Sequence, residues 1–222
     1  MIKSNFLLIS AFIFLNLNFN CFSKKIVYPV EDGQTWGSTK LSYELDDEWE
    51  FQVSQELRYS QYSSVLDQSL SDIGMNYQIS EMLKLGLFYR FRYYPEEIDR
   101  RHEIFSNFTI KQKFDDIKIS NRTRLHIKFR ENKESINNLR NETSIAYRLF
   151  GILSPYISAE FFYRFLYNEG DRLTQGRYAV GLDIELTDTI ELNVFFMREE
   201  EYNNNKAINS NIIGFDLSFT IK

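Results

Sequence analysis

Arginine recurs in this chain at one phase of a two-residue alternation. Arg58, Arg90, Arg130 and Arg164 fall late in alternating segments, and Arg101, Arg140 and Arg177 fall early in the segments that follow. Residues two apart along a strand share a face. If consecutive segments pair as antiparallel neighbours, these seven guanidinium groups gather on one face near one end. Arg122 and Arg124 extend the same wall, as do Lys84, Lys111, Lys113, Lys118 and Lys128. Cations lining a narrow enclosed space create a field that draws anions. The chemistry this arrangement suits is the collection of small anionic solutes. Asp183, Glu185, Glu191, Glu199 and Asp216 fall on the later segments, so a basic wall would face an acidic one. Glu56, Glu103, Glu142 and Glu160 lie beside the arginines, and cross-strand ion pairs could instead fill the space. At this level a pore and a plug are equally consistent with the residues.

Bond-making chemistry has thinner support. A serine nucleophile needs a histidine oriented by a third polar group, and the chain has two histidines. His102 falls on the apolar parity near a segment end, with no serine at matching height on its neighbours. His126 falls on the polar parity among arginines and reads as a wall residue. Two histidines on opposite faces and a single cysteine give no metal-ligand set. No catalytic residue, metal or cofactor is therefore expected, and a lipid-modifying enzyme is the weakest alternative. The net charge is -5, which argues against nucleic acid as a partner.

The elements that must position these residues are strands. In Tyr178 to Arg198, apolar residues alternate inward (Tyr178, Val180, Leu182, Ile184, Leu186) and outward again (Ile190, Leu192, Val194, Phe196) around Thr187-Asp188-Thr189. That is a β-hairpin with a tight turn. The same pattern fills the chain beyond Val30, with short connections (46–48, 80–82, 115–116, 151–154, 187–189) alternating with longer ones (61–65, 95–99, 131–135, 166–172, 202–207). Such alternation is the layout of an outer-membrane barrel. No Pro/Gly/Ser-rich linker divides the chain, which contains three prolines. The expectation is all-β: one antiparallel up-and-down transmembrane β-barrel over 33–222, of about twelve strands, or ten if the first segments do not close it. The twelfth strand would be a short crossing by Lys25 to Val30, within an N-terminal segment 24–32.

Alternation alone does not say which face is outside, because a soluble ligand-binding barrel has the same period with the opposite sense. The polar face carries too many charges for a dry core. Aromatic residues gather near segment ends in two rows: Trp49, Tyr77, Tyr147 and Tyr156 by the short turns, Tyr59, Tyr93, Phe129, Tyr163 and Phe165 by the longer loops. Met1 to Ser23 has the form of an export signal: Lys3, an apolar run from Phe6 to Leu17, then Cys21-Phe22-Ser23. Cys21 either leaves with that signal or serves as a lipid acceptor. A mean hydropathy of -0.38 does not conflict, since lumen and loops of such barrels are polar. Lipid therefore belongs on the apolar face, and the expected location is a bacterial outer membrane. One patch departs from this: Ser106, Asn121, Thr123, Asn141 and Thr143 share the lipid-facing parity. It is either a tolerated weakness of a monomer, the favoured reading, or a contact between subunits.

The chain resembles a family of bacterial proteins of unknown function, of the DUF type, that are outer-membrane β-barrels. The resemblance runs over nearly all of Trp36 to Lys222. It rests on Trp36, LSYELDDEWEFQVSQELRY (Leu41 to Tyr59), LGLFYRFR (Leu85 to Arg92), Arg101-His102-Glu103, NRTRL (Asn121 to Leu125), LRNETSIAYRL, PYISAEFFY and the closing IIGFDLSF. These are patterns of a barrel and imply no reaction. In size and layout the chain is also similar to the small monomeric porins specific for acidic oligosaccharides, although it runs past Phe219 to Thr220, Ile221 and Lys222 instead of ending on an aromatic residue. Together these point to a narrow porin-like channel for small anionic solutes. The alternative is a plugged barrel with a structural or surface-interaction role.

Overall fold

The computed structural model describes residues 30–130, 133–166, 168, 170–204 and 207–222. The expected export signal, Cys21 and Lys25 to Pro29 lie outside the described residues. Eleven strands follow one another: β1 (Val30–Glu44), β2 (Trp49–Ser60), β3 (Val65–Ser80), β4 (Leu83–Tyr94), β5 (Asp99–Phe114), β6 (Ile117–Arg130), β7 (Lys133–Tyr147), β8 (Leu153–Phe165), β9 (Arg172–Thr187), β10 (Ile190–Glu201) and β11 (Ile208–Ile221). Each pairs with its sequence neighbours, and β1 pairs with β11 to close the barrel.

Eleven lies between the twelve and the ten strands expected. An up-and-down ring with an odd number of strands must contain one parallel pair, and here it is β1 with β11, from Val30↔Ile208 to Tyr43↔Ile221. Counting from the sequence placed both termini at the short-turn end. The described chain instead begins β1 at the opposite end.

Two ends can be named by their connections. Residues 45–48, 81–82, 115–116, 148–152 and 188–189 form the turn end; residues 61–64, 95–98, 166, 168, 170–171, 202–204 and 207 lie at the loop end. The expected alternation of short and long connections is weaker than the sequence suggested. Strand pairing continues into the supposed loops through register shifts, as at Tyr59↔Leu66 and Arg130↔Lys133. Such bulges carry the ladder onward while turning the strand.

The period-2 pattern sorts side chains as expected. Phe51, Val53, Ile73, Leu85, Leu87, Leu125, Ile157, Val180, Ile213 and Phe215 are exposed on the outer face. Trp49 and Tyr77 lie against each other at the turn end of that face, with ring centroids 4.7 Å apart. Tyr156 is the exception. It turns inward, sharing hydrogen bonds with Asn193 and packing on Trp36, Phe195 and Ile212. Its position is fixed by Gly181 on the next strand, where a Cβ would collide with the Tyr156 ring.

Glycine and aromatic pairs recur around the inner wall. Phe88 covers Gly74, and Phe195 covers Gly214, each pair in direct cross-strand register. A ring lying across a strand glycine regains the packing that the missing side chain forfeits. The room that glycines leave is thus taken by aromatic rings, which thicken the wall on that side.

The outward polar patch satisfies itself. Asn121 and Asn141 exchange amide hydrogen bonds at 3.1 Å, and each donates its second N–H to a threonine, Thr143 or Thr123, at 2.9 Å. All four amide N–H groups are used, which removes most of the cost of placing them away from water.

Candidate functional site: the lumen

The inward faces carry two layers of different character. Toward the loop end, ion pairs and aromatic rings fill the space. Arg90 holds Asp72 with both Nε and Nη2, at 2.6 and 2.7 Å. Arg140 holds Glu160 in the same way, at 3.0 and 2.9 Å. Arg177 bonds Glu199 at 2.7 Å and approaches Glu160 at 3.6 Å. Arg58 bonds Glu56 at 2.7 Å and stacks over Trp36 at 3.7 Å. Charge-assisted forks of this kind fix orientation as well as supplying energy.

In this layer stands Glu103, which is wholly buried. Arg92 donates to it at 2.9 and 3.0 Å, and His126 donates from Nε2 at 2.8 Å. With Nε2 carrying the proton, the second ring nitrogen is an acceptor, and it has no partner. An unmatched lone pair costs less than an unmatched N–H. Phe105 lies edge-on to the imidazole, and the guanidinium groups of Arg90 and Arg124 lie over the Phe105 ring at 5.2 and 4.2 Å.

Toward the turn end the lumen opens into a cavity of about 370 Å³. Arg122, paired with Glu142, and Arg124 line it together with Lys40, Lys84 and Lys111. Arg124 is 8% exposed, and its Nε donates to Asn107 at 2.7 Å. Closer to the mouth, Glu44, Asp46, Asp47 and Glu48 surround a further 210 Å³.

The structure brings Arg58, Arg90, Arg140 and Arg177 into the packed layer, while Arg122 and Arg124 form the cavity wall. Arg101 stands at the loop-end rim, bonded to Asp99 at 2.7 Å and stacked on Tyr94 at 4.2 Å. Arg164 lies on β8 opposite Asn138 and Arg172. Arg130 ends β6, and its side chain lies outside the described residues. Of the carboxylates beside these arginines, Arg140 takes Glu160, diagonally across β7 and β8, whereas Arg90 bonds Asp72, directly opposite on β3, although Glu103 faces it as directly on β5.

Sequence reasoning missed Arg92 and the inward aromatics. Arg92 has the same parity as Arg90, so the signal was present. Trp36, Phe88, Phe105, Phe162 and Phe195 also sit at lumen parity, but they interrupt runs otherwise read as polar.

The arginines and the acidic residues are not cleanly divided around the ring, since Arg177 stands on β9 beside the acidic positions. Strands β4–β7 carry Lys84, Arg122, Arg124 and Lys128, while β9–β11 carry Asp183, Glu199 and Asp216. Neither histidine is bonded to a serine among the described residues. His102 lies on the outer face, hydrogen-bonded to the Tyr89 hydroxyl at 2.5 Å.

Comparison with known proteins agrees with this architecture. A solved NanC porin shares the fold at 12% identity with a TM-score of 0.55, covering 86% of this chain and 99% of that one. A bacterial polysaccharide outer membrane secretin aligns at 12% identity and a TM-score of 0.58, covering 82% of this chain and 68% of that one. The chain therefore shares the barrel fold of these two solved structures. No curated protein matches the sequence. Residues 33–211 match the family described as "Protein of unknown function (DUF2490)", and the chain belongs to that family.

Proposed function

We propose that this chain is an outer-membrane barrel that admits small anionic solutes along a narrow path beside its basic wall. The observation that carries this reading is the charge of the turn-end cavity, where Lys40, Lys84, Lys111, Arg122 and Arg124 face Glu50, Asp72 and Glu142. A confined excess of cations raises the local concentration of anions. Arg58, Arg90, Arg101, Arg140, Arg164 and Arg177 continue the wall toward the loop end. The described side chains that close the lumen there, among them Leu70, Arg92, Glu103 and His126, all stand on strands. Side chains rearrange far faster than a folded plug domain leaves, so a low, anion-preferring conductance is the expected property.

The outer face supports that location. Strands of 12 to 16 residues exceed the roughly 9–11 that a tilted strand needs to cross a bilayer, and their outward residues are apolar. The mature chain should fractionate with outer membrane and migrate faster on a gel unheated than boiled. Leu87, 55% exposed on that face, makes the assignment testable. Leu87→Arg should destabilise the barrel folded in lipid vesicles by about 2–4 kcal/mol in a urea titration, whereas Leu87→Ile should be mild. Equal tolerance of both would reverse the faces. The self-satisfied patch at Asn121 and Asn141 supports a single barrel rather than a subunit contact.

Planar-bilayer recording in a salt gradient tests the passage directly. Reversal potentials should show anion preference. Cation preference would overturn the basic-wall reading. Complete absence of conductance would favour the second reading, a plugged barrel, for which the full burial of Leu70, Ile212, Glu103 and His126 is the supporting observation. Enzymatic activity has no comparable support, because His126 is bonded to Glu103 and His102 to Tyr89, with no serine bonded to either among the described residues.

A further inference from the structure

The cations of the turn-end cavity are not equally free. Asp72 is held by Arg90 on the loop side, Glu50 accepts from Lys84 at 2.7 Å and from Ser42 at 2.8 Å, and Glu142 is engaged by Arg122. Every carboxylate on the cavity wall therefore has its own cation. Lys40, Lys111 and Arg124 form no ion pair with the described residues. Lys111 and Arg124 come from the neighbouring strands β5 and β6 and Lys40 from β1, so the three approach the cavity from two parts of the wall.

Arg124 is the most informative of the three. Its guanidinium is more than nine-tenths buried, sits over Phe105, and is fixed through Nε by Asn107. The terminal nitrogens, which no described side chain bonds, are left to the cavity. A buried charge without a counter-charge is costly, and a protein that retains one has an anion to place beside it. A guanidinium anchored at Nε presents its two terminal N–H groups end-on as a fork, which suits two oxygens of one oxyanion.

The number and placement of charges select the class of anion. A carboxylate is flat, carries one charge and is satisfied by a single fork, which would leave Lys40 and Lys111 unmatched. A tetrahedral dianion accepts donors from several directions at once. The hydroxyls of Thr109, Ser120 and Ser144 on the same wall add neutral donors between the cations. A volume of about 370 Å³ is that of about a dozen waters at their liquid density, enough for a phosphate or a small phosphomonoester with part of its hydration. Access is from the turn end, since the loop-end half is packed.

We propose that the turn-end cavity is a binding site for a phosphate-type dianion, free or as a monoester, held by Arg124, Lys111 and Lys40. This rests on reading the lumen as anion-collecting, and it names the anion.

Calorimetric titration of the full chain in detergent with inorganic phosphate, glycerol phosphate and acetate tests it. Saturable binding of at least one of the two phosphates, tighter than acetate, is expected. Arg124→Gln and, independently, Lys111→Gln should each weaken it by about tenfold or more, the size of one charge-assisted hydrogen bond. Lys111 lies at an exposed position, so its replacement leaves the fold intact even if that of Arg124 does not. Arg198→Gln, which removes a charge paired with Glu31 on the outer face, should leave binding unchanged. Binding of glycerol phosphate alone identifies the ester as ligand, whereas comparable binding of both identifies the phosphate group itself. No binding of either, acetate bound as tightly, or binding indifferent to both lumen substitutions would overturn the site. A barrel that conducts anions but does not bind phosphate loses this site alone, while one that binds phosphate without conducting loses the passage alone.

Discussion

Glu103→Leu is expected to lower the stability of the folded barrel by about 3–5 kcal/mol, the usual cost of removing one partner from a buried ion pair. Glu103 is wholly buried and accepts hydrogen bonds from Arg92 and His126 at once. Without it, the Arg92 guanidinium keeps only Gln68, at 2.6 Å, and the imidazole loses the acceptor of its Nε2–H. Arg90 also stands directly opposite Glu103 on the ladder, so its local field becomes more positive. The double replacement Arg92→Leu with Glu103→Leu separates the two components of the loss. If the cost is the stranded charge, the double variant should recover most of the stability of the parent, because well-packed apolar side chains replace a buried pair at little net cost. Urea titration of the protein folded in vesicles measures both. A single variant as stable as the parent would mean that water reaches Arg92 and that the loop-end layer is open.

What sequence could and could not supply is visible in the same residues. The face of each strand is a matter of parity, and parity is local. Leu87 outside and Arg90 inside needed nothing beyond a two-residue period. The closure of the ring is not local. Whether Val30 begins a strand beside Ile208 depends on the twist and stagger of the strands between them, and counting connections gave the neighbouring numbers twelve and ten. The lumen shows the same division. That Arg58, Arg90, Arg122, Arg124, Arg140 and Arg177 share one enclosed face was legible, as was the proximity of Glu103 and Glu160. Partner choice was not legible, because side chains as long as arginine reach across diagonals as readily as straight across. Register alone decided that Phe88 and Phe195 would cover the glycines at 74 and 214.

Trp36→Ala should have the other large effect, and it connects stability to passage. Trp36 is buried with Phe195 and Ile212 beside the β1–β11 seam, donates its indole N–H to Gln34 at 2.9 Å, and lies beneath the guanidinium groups of Arg58 and Arg177 at 3.7 and 5.0 Å. Truncating a buried aromatic of this size costs about 3–5 kcal/mol, and the lost cation–π contacts add to it. The variant therefore tests a second property that stability alone does not report. Arg58 and Arg177 keep Glu56 and Glu199 as partners, so the charge of the layer is unchanged while its largest ring is gone. If the loop-end layer is what narrows the path, bilayer recordings of Trp36→Ala should show a larger unit conductance than the parent with the same anion preference. Because β1–β11 pairing continues from Val30 to Tyr43, the backbone ring has the contacts to stay closed around the new space. A destabilised barrel whose conductance equals that of the parent would place the constriction elsewhere. A barrel silent both before and after the change would mean that ion pairs alone seal the lumen.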